Sequence, residues 1–280
     1  MVRSPAVAGT FYPADPHELA HQIDDFCTGA EGRSEEARAI ACVVPHAGYM
    51  YSGHVAGAVY GELDVPQRCI LLGPRHFPQG QPMAILIEGS WRTPLGDAEI
   101  DAPLAAALRN AYPQLREDET AHAREHSLEV QIPFLQRITG EGNEARGFRF
   151  VPVVLASDRY PVLEELGRAV AQVIAKANTD QTGPVLIIAS TDFNHYESQA
   201  ATEVKDSHAI DRILALDAKG LYDTVRSEGI TMCGYAATVA AIVASRELGA
   251  SEARLVRYAT SGDINGDYSR VVGYAGIIIQ

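Results

Sequence analysis

Seven short apolar runs punctuate the chain, most of them apolar at successive positions rather than at every second one: 39–44 (AIACVV), 69–72 (CILL), 84–87 (AILI), 148–155 (FRFVPVVL), 185–189 (VLIIA), 254–258 (RLVRY) and 271–279 (VVGYAGIII). A strand that is apolar on both faces has to be covered on both, the condition of a strand inside a parallel sheet held between helices. Helical candidates at 53–62, 102–111, 127–138, 160–176, 203–216 and 234–248 separate these runs. An earlier helix is marked by Asp15 as its cap, Pro16 in its first turn and Glu18 three places beyond the cap, and it is expected to run to about Cys27. The alternation predicts the α/β class: a single domain over residues 1–280, with a mostly parallel central sheet flanked by helices and room for an antiparallel edge among the late strands. No internal repeat or long linker divides the chain.

Charge and cysteine usage narrow the partners. With 23 Lys and Arg against 36 Asp and Glu, the net charge of −13 repels phosphate backbones and anionic lipid. Nucleic acid and membrane are therefore excluded as expected partners, and no apolar run approaches the roughly 18 residues that span a bilayer. The first residues carry no continuous apolar stretch of the secretory kind, which points to a cytoplasmic protein. Cys27, Cys42, Cys69 and Cys233 are widely spread with no CxxC pair, which suits a reducing compartment.

In an open α/β sheet, functional groups gather in the loops leaving the carboxyl ends of the strands. Three of the apolar runs end in a histidine-bearing loop: AIACVV leads into Pro45-His46, CILLG into Pro74-Arg75-His76, and VLIIAS into Thr191-Asp192-Phe193-Asn194-His195. One such histidine is ordinarily a hydrogen-bonded structural residue. Three, delivered to one sheet edge, build a polar site, and imidazole is the commonest metal ligand and general base near neutral pH. Cys233 lies just before an Ala-rich helix, where the free N–H groups and the dipole favour the thiolate that a metal takes. The other three cysteines read as small apolar filler.

Two further segments stand out. His122-Ala123-Arg124-Glu125-His126 satisfies H-x-x-E-H, a pattern in which two histidines one helical turn apart grip zinc and the glutamate serves as base. Pro133 is expected to limit any helix here to about two turns before a kink, and the plainer reading is a solvated helix start with Arg124 and Glu129 facing water. Ser90–Asp97 holds the chain's one tryptophan, Trp91, and reads as a turn with an aromatic plug. GxGxxG after a strand, GxxxxGK[ST] and GxSxG are all missing, so dinucleotide, P-loop and serine-hydrolase functions lack their basic signal.

The blocks AGTFYP (8–13), PHAGY (45–49) followed by YSG, GPRH (73–76), RTPLG (92–96), EHSLE (125–129), TDFNHY (191–196) and MCG (232–234) occur in this order over nearly the whole chain. In them the chain resembles the Memo family, whose microbial members are called AmmeMemoRadiSam system protein B. The resemblance implies a fold like that of the class III extradiol dioxygenases of the LigB type. It implies a single metal ion, iron or copper with zinc as a further option, held by His46, His76 and Cys233. It also implies His195 as the acid/base group with Asp192 as its neighbour. Glu125 and His126 of the EHSLE block, with Tyr49 and Arg75 of the PHAGY and GPRH blocks, become candidates for the substrate pocket, whereas His122 falls outside the family's block. Cysteine in place of the carboxylate of the two-histidine facial triad makes a softer site. Radical SAM and AMMECR-type proteins are the partners that the family association suggests. Three functions follow: a metal-dependent redox enzyme acting on a phenolic or other small molecule, a non-enzymatic module that uses the same pocket to bind a peptide or sequester metal, or a zinc hydrolase built on His122, Glu125 and His126.

Overall fold

The sheet is centred on four parallel strands, in the order Arg149–Leu155, Arg68–Pro74, Val185–Ser190 and Ala41–Val44, as the doubly apolar runs require. The computed structural model describes residues 1–28, 39–140, 147–179 and 183–280. Beyond Ala41–Val44 the sheet turns antiparallel: Val271–Ile279 pairs with it and with Ala253–Thr260, the mixed edge expected from the late strands. At the opposite side Gly96–Ile100 continues parallel to Arg149–Leu155 and is followed by Ser90–Thr93 and Val2–Arg3, while Met83–Ile85 pairs antiparallel with Arg149–Leu155 and the short strands Arg116–Glu117 and His195–Glu197 add to Met83–Ile85 and Val271–Ile279. The α/β class with a mostly parallel, helix-flanked sheet is thus observed.

Two groups of helices cover the sheet. Tyr160–Thr179, Tyr235–Glu247, Ala102–Ala111 and Ala218–Ser227 form one; Pro16–Cys27, Tyr49–Glu62 and Ile132–Gly140 form the other. The Tyr49–Glu62 helix is apolar nearly all round because it lies between the sheet and the Pro16–Cys27 helix. Gly53 and Gly57, one turn apart, face Phe26, and a β-carbon at either would overlap that residue. The core is correspondingly dry: Ile70, Leu71, Leu72, Phe150 and Ile187 have no accessible surface.

The register decides where the chemistry sits. Val44 stands beside Ser190, and Leu72 beside Ala189. The three central strands therefore end level, and the loops that begin at Pro45, after Pro74 and at Thr191 leave from one edge.

Several expectations need correction. The Trp91 segment is a hairpin, not a turn: Ser90–Thr93 pairs with Gly96–Ile100 and buries Trp91. Gly96, at φ 114°, supplies the left-handed residue that a tight connection demands. Pro133 does not kink a helix but stands as the second residue of Ile132–Gly140, where a missing N–H costs nothing. Glu129 is fully buried rather than solvated. It accepts from Arg3 Nη1 (2.6 Å), the Tyr12 hydroxyl (2.7 Å) and the backbone N–H groups of Ala6 and Val7, locking the N-terminal segment against the EHSLE block.

Candidate metal centre

His46 leaves the tip of Ala41–Val44 in a loop held from below by Asp192, whose Oδ1 accepts from the N–H groups of His46 (2.7 Å) and Ala47 (3.2 Å). Its ring is oriented by Ser190 on the neighbouring strand, with Nδ1 at 3.0 Å from Oγ. The proton on that contact can be assigned. Ser190 Oγ donates to the Ser127 carbonyl (2.6 Å) and accepts from Gln131 Nε2 (2.9 Å). A hydroxyl has one hydrogen, so the remaining lone pair must accept, and the imidazole carries its proton on Nδ1. Gln131 cannot flip, because its other donor contact is the Pro45 carbonyl and its oxygen accepts from the Tyr60 hydroxyl. Nε2 of His46 is thereby left as a lone pair.

The same logic holds for His76. Its Nδ1 lies 2.8 Å from Oε1 of Glu125, whose other oxygen takes the His76 backbone N–H. Glu125 has no accessible surface. Burial pushes its carboxyl pKa upward, but the His76 ring and the N–H groups of His76 and Ser127 outweigh that and hold it down at about 2. An ionised carboxylate accepts only, so His76 too is protonated on Nδ1 and offers Nε2. An imidazole anchored through one nitrogen with the other left free is the arrangement that metal-binding histidines adopt.

His126 completes the cluster. Its ring stacks on His76 with centroids 4.5 Å apart and meets His46 edge-on at 5.7 Å, with Phe11 closing the outer side at 4.9 Å. Ligand nitrogens of His46, His76 and His126 lie within 4.8 Å of one another, and among the described residues these three are the group so placed. Burial, reinforced by the neighbouring rings, lowers the pKa of His46 well below the ordinary imidazole value and that of His126 in the same direction, so both stay neutral.

Cys233 approaches from the other flank. Its Sγ is 3.2 Å from Nε2 of His46 and accepts from the Asp192 N–H at 3.3 Å, but it lies outside the three-histidine group. Gly234 makes this approach possible, because a β-carbon there would strike the Ser190 carbonyl and the Thr191 side chain. The dipole argument for a thiolate fails here: burial, helped by the charge of Asp192, raises the thiol well above its ordinary value. Without a bound cation the sulfur therefore keeps its proton, with His46 Nε2 at 3.2 Å and the Asp192 carbonyl at 3.6 Å as its acceptors. Cys42 and Cys69 are the buried filler expected of them.

His195 sits on the strand His195–Glu197, near enough to His46 that a positive charge on it would lower the proton affinity of His46. Its Nδ1 lies 2.9 Å from the Thr231 carbonyl, which only accepts, so Nδ1 is protonated and Nε2 is basic. Asn194 holds Thr231 through its side-chain oxygen, and Asp206 holds the Asn194 N–H at 2.8 Å. The next residue, Tyr196, is a non-glycine at φ 63°, a conformation kept only where surroundings impose it. Asp192 does not orient the His195 ring; its carboxylate secures the His46 loop instead.

Other expected roles change. Tyr49 is no pocket residue: it is buried among Tyr12, Phe26 and Phe134 with its hydroxyl on the Val130 carbonyl. Arg75 spends its Nη1 on the carbonyls of Pro78, Gln79 and Gly80, clamping the loop after His76. His122 is in the helix Glu119–Ala123, which stops before Glu125, so His122, Glu125 and His126 do not share a helical turn. His122 packs on Trp91 instead, and Glu125 is committed to His76, which removes the basis of the zinc-hydrolase reading.

One nitrogen–sulfur pair already stands at the spacing of two ligands to one ion. Two ligands at about 2.1 and 2.3 Å from one ion stand roughly 3.1 Å apart at a right angle and about 3.6 Å apart at the tetrahedral angle. The 3.2 Å between His46 Nε2 and Cys233 Sγ falls between these limits.

The chain is thus a parallel-stranded α/β protein with a histidine cluster at its strand tips that could hold a metal ion, two of its ring tautomers fixed by a buried carboxylate and a buried serine. The family model described as Memo-like protein matches residues 3–278, and the chain belongs to that family. It is 45% identical over 291 aligned residues to a MEMO1 family protein of Methanopyrus kandleri, covering 100% of this chain and 99% of that one. A MEMO1 family protein of Methanothermobacter thermautotrophicus is 42% identical, with 98% and 99% covered, and one of Aquifex aeolicus is 40% identical, with 99% and 98% covered. Among the described residues, no helix is long and apolar enough to cross a membrane.

Proposed function

We propose that this Memo-like protein holds one redox-active metal ion, iron or copper, between His46, His76 and Cys233, with His126 at the rim or as a fourth donor. The proposed reaction is a metal-dependent oxidation of a small phenolic or related molecule, related to that of the extradiol dioxygenases. The observation that carries the reading is the double tautomer lock: Ser190 and Glu125 each fix a proton on Nδ1, so two imidazoles are prepared with lone pairs on Nε2. Nitrogen and sulfur donors together suit iron, copper or zinc rather than magnesium or calcium.

When bound, the ion would supply Lewis acidity and an electron path at the pocket floor. The chain does the rest. His195, with its proton fixed on Nδ1 by Thr231, takes a substrate hydroxyl proton on Nε2. Asp192 and the Asp206–Asn194–Thr231 chain hold the two loops in place. Phe11 and Phe77, whose rings meet His126 edge-on at 4.9 and 6.5 Å, offer apolar surface to a ring-shaped substrate.

Anaerobic purification followed by elemental analysis tests the reading. It expects close to one equivalent of iron or copper, retained in His195→Ala while oxygen uptake with catechols is lost. Metal at background in the wild type, with no uptake on titration, removes it. Metal at full occupancy with oxygen uptake at background and unaffected by His195→Ala would favour the non-enzymatic binding module.

A further inference from the structure

Asn194 has no accessible surface, and every polar group it owns is bonded. Its backbone N–H donates to Asp206 Oδ1 (2.8 Å), and its carbonyl accepts from the Gly273 N–H (3.0 Å). Nδ2 donates to Glu197 Oε2 (2.7 Å) and to Thr202 Oγ1 (3.3 Å), while Oδ1 accepts from both the N–H and the hydroxyl of Thr231, each at 3.1 Å. The amide cannot be turned over. The Glu197 carboxylate, kept ionised by its bond to Lys205, only accepts, so Nδ2 must face it and Oδ1 is aimed at Thr231.

Thr231 passes that hold on to His195. Its hydroxyl, whose hydrogen goes to Asn194, takes the His195 N–H at 2.7 Å, and its carbonyl faces His195 Nδ1 at 2.9 Å. Thr231 is exposed and His195 half-buried, so water competes for both of these bonds. The hold on Thr231, by contrast, comes from a side chain that water does not reach. Further along the same loop, Cys233 Sγ accepts from the Asp192 N–H and the Gly234 N–H donates to Thr191 Oγ1 at 2.9 Å. Residues 191–195 and 231–234 thus run past each other in opposite directions, stitched at Thr191, at Asp192 and at Asn194 with His195. The sulfur has stitches of its own, and the stitch at Thr231 carries the imidazole.

The strand that bears His195 is bulged. His195 stands opposite Val272 and Glu197 opposite Val271, so Tyr196, at φ 63°, is an extra residue without a partner across the ladder. A bulge re-aims the side chains beside it, and the bond from Asn194 to Glu197 spans this one. Closing the bulge needs that bond only. The two bonds to Thr231 act on the neighbouring segment instead.

We propose that Asn194 is a positioning residue for His195: by clamping Thr231 from the buried side, it keeps the Thr231 carbonyl on Nδ1 and selects the tautomer whose lone pair is on Nε2. The importance of that tautomer to a reaction rests on His195 acting as the base in the function proposed above; the tautomer itself does not.

Nitrogen NMR of the full chain with isotope-labelled histidine reads the tautomer directly, because protonated and unprotonated ring nitrogens resonate far apart and exchange between tautomers draws them together. Zn2+ stands in for any redox-active ion during the measurement, and His195→Gln identifies the signals. In mildly alkaline buffer the wild type is expected to show His195 protonated on Nδ1 alone. Folded Asn194→Ala should lose this single-tautomer signature and show the Nε2-protonated form as well, whereas a packing role would lower the melting temperature and leave the ring signals unmoved. Wild-type signals that are already mixed, or an unmoved signature in folded Asn194→Ala, overturn the proposal. Should Asn194→Ala not fold, Thr231→Val, at an exposed position, cuts one of the two bonds of the clamp. The Nε2-protonated form is expected there too, and an unmoved signature overturns the proposal equally. Oxygen uptake with catechols separates the two readings: an altered tautomer with uptake unaffected upholds the clamp and removes His195 as the base.

Discussion

Replacing Ser190 by alanine deletes one hydroxyl on which three buried groups converge: His46 Nδ1 at 3.0 Å, Gln131 Nε2 at 2.9 Å and the Ser127 carbonyl at 2.6 Å. Each loses a partner in a place with no accessible surface, at about 1 kcal/mol apiece, so the folded state should lose roughly 3 kcal/mol. The melting temperature should drop by several degrees. The more telling effect is on the ion. Without the serine acceptor, the His46 proton is free to move to Nε2, which blocks the nitrogen that faces Cys233. Partners that orient a metal-binding histidine are typically worth 10–100-fold in affinity, about 1.4–2.7 kcal/mol. The assay is chelator competition with Zn2+ as a redox-silent probe, run beside thermal unfolding. A variant that melts several degrees lower but binds Zn2+ within two-fold of the wild type would refute the tautomer argument, because Ser190 would then be a packing residue alone.

Cys233→Ser should weaken Zn2+ binding and abolish the proton released on binding, since the buried thiol is protonated until a cation displaces its hydrogen; calorimetry in buffers of different ionisation enthalpy measures that proton. Asp206 has no accessible surface, and burial lifts its carboxyl to about 7 despite hydrogen bonds from Asn194 and Tyr258. The folded state then holds a proton that the unfolded chain gives up near pH 4. Stability falls as pH rises between about 4 and 7, by at most roughly 4 kcal/mol, and Asp206→Asn should flatten that slope in urea titrations from pH 5 to 8. Arg3→Met leaves the Glu129 carboxylate buried without its guanidinium and should cost about 3–5 kcal/mol, visible as a lower urea midpoint; an unchanged midpoint would mean that Tyr12 and the two backbone N–H groups hold the charge unaided.

The first two strand tips were legible because proline follows each apolar run, and no side chain had to be placed to see that His46 and His76 each leave the end of a buried strand. Register, which brings Val44 level with Ser190, is a tertiary property and could only be assumed. His126 was legible as a neighbour of the site but not as a member of the cluster. The helix that would have aimed it ends at Ala123, and its orientation comes from stacking on His76. Tyr49 misled because its place after a functional loop says nothing about the aromatic core it enters as the first residue of a helix. The hairpin around Trp91 did carry a signal: Trp91 and Thr93 are buried and Arg92 is exposed, the period of two that a half-covered strand shows. The helix Ala218–Ser227 likewise had its cap, Asp217, and its apolar face, Leu221 and Val225, in plain view. The roles of Ser190, Gln131 and Glu129 were not readable in advance. A polar residue inside an apolar run declares that it needs a partner without saying which.

X-ray absorption spectroscopy at the edge of the resident metal tests the central claim most directly, on wild type and Cys233→Ser side by side. The account predicts imidazole nitrogen at about 2.0–2.1 Å with one sulfur near 2.3 Å, the sulfur shell vanishing in the variant. A shell of oxygen alone, or one that Cys233→Ser leaves unchanged, would contradict it.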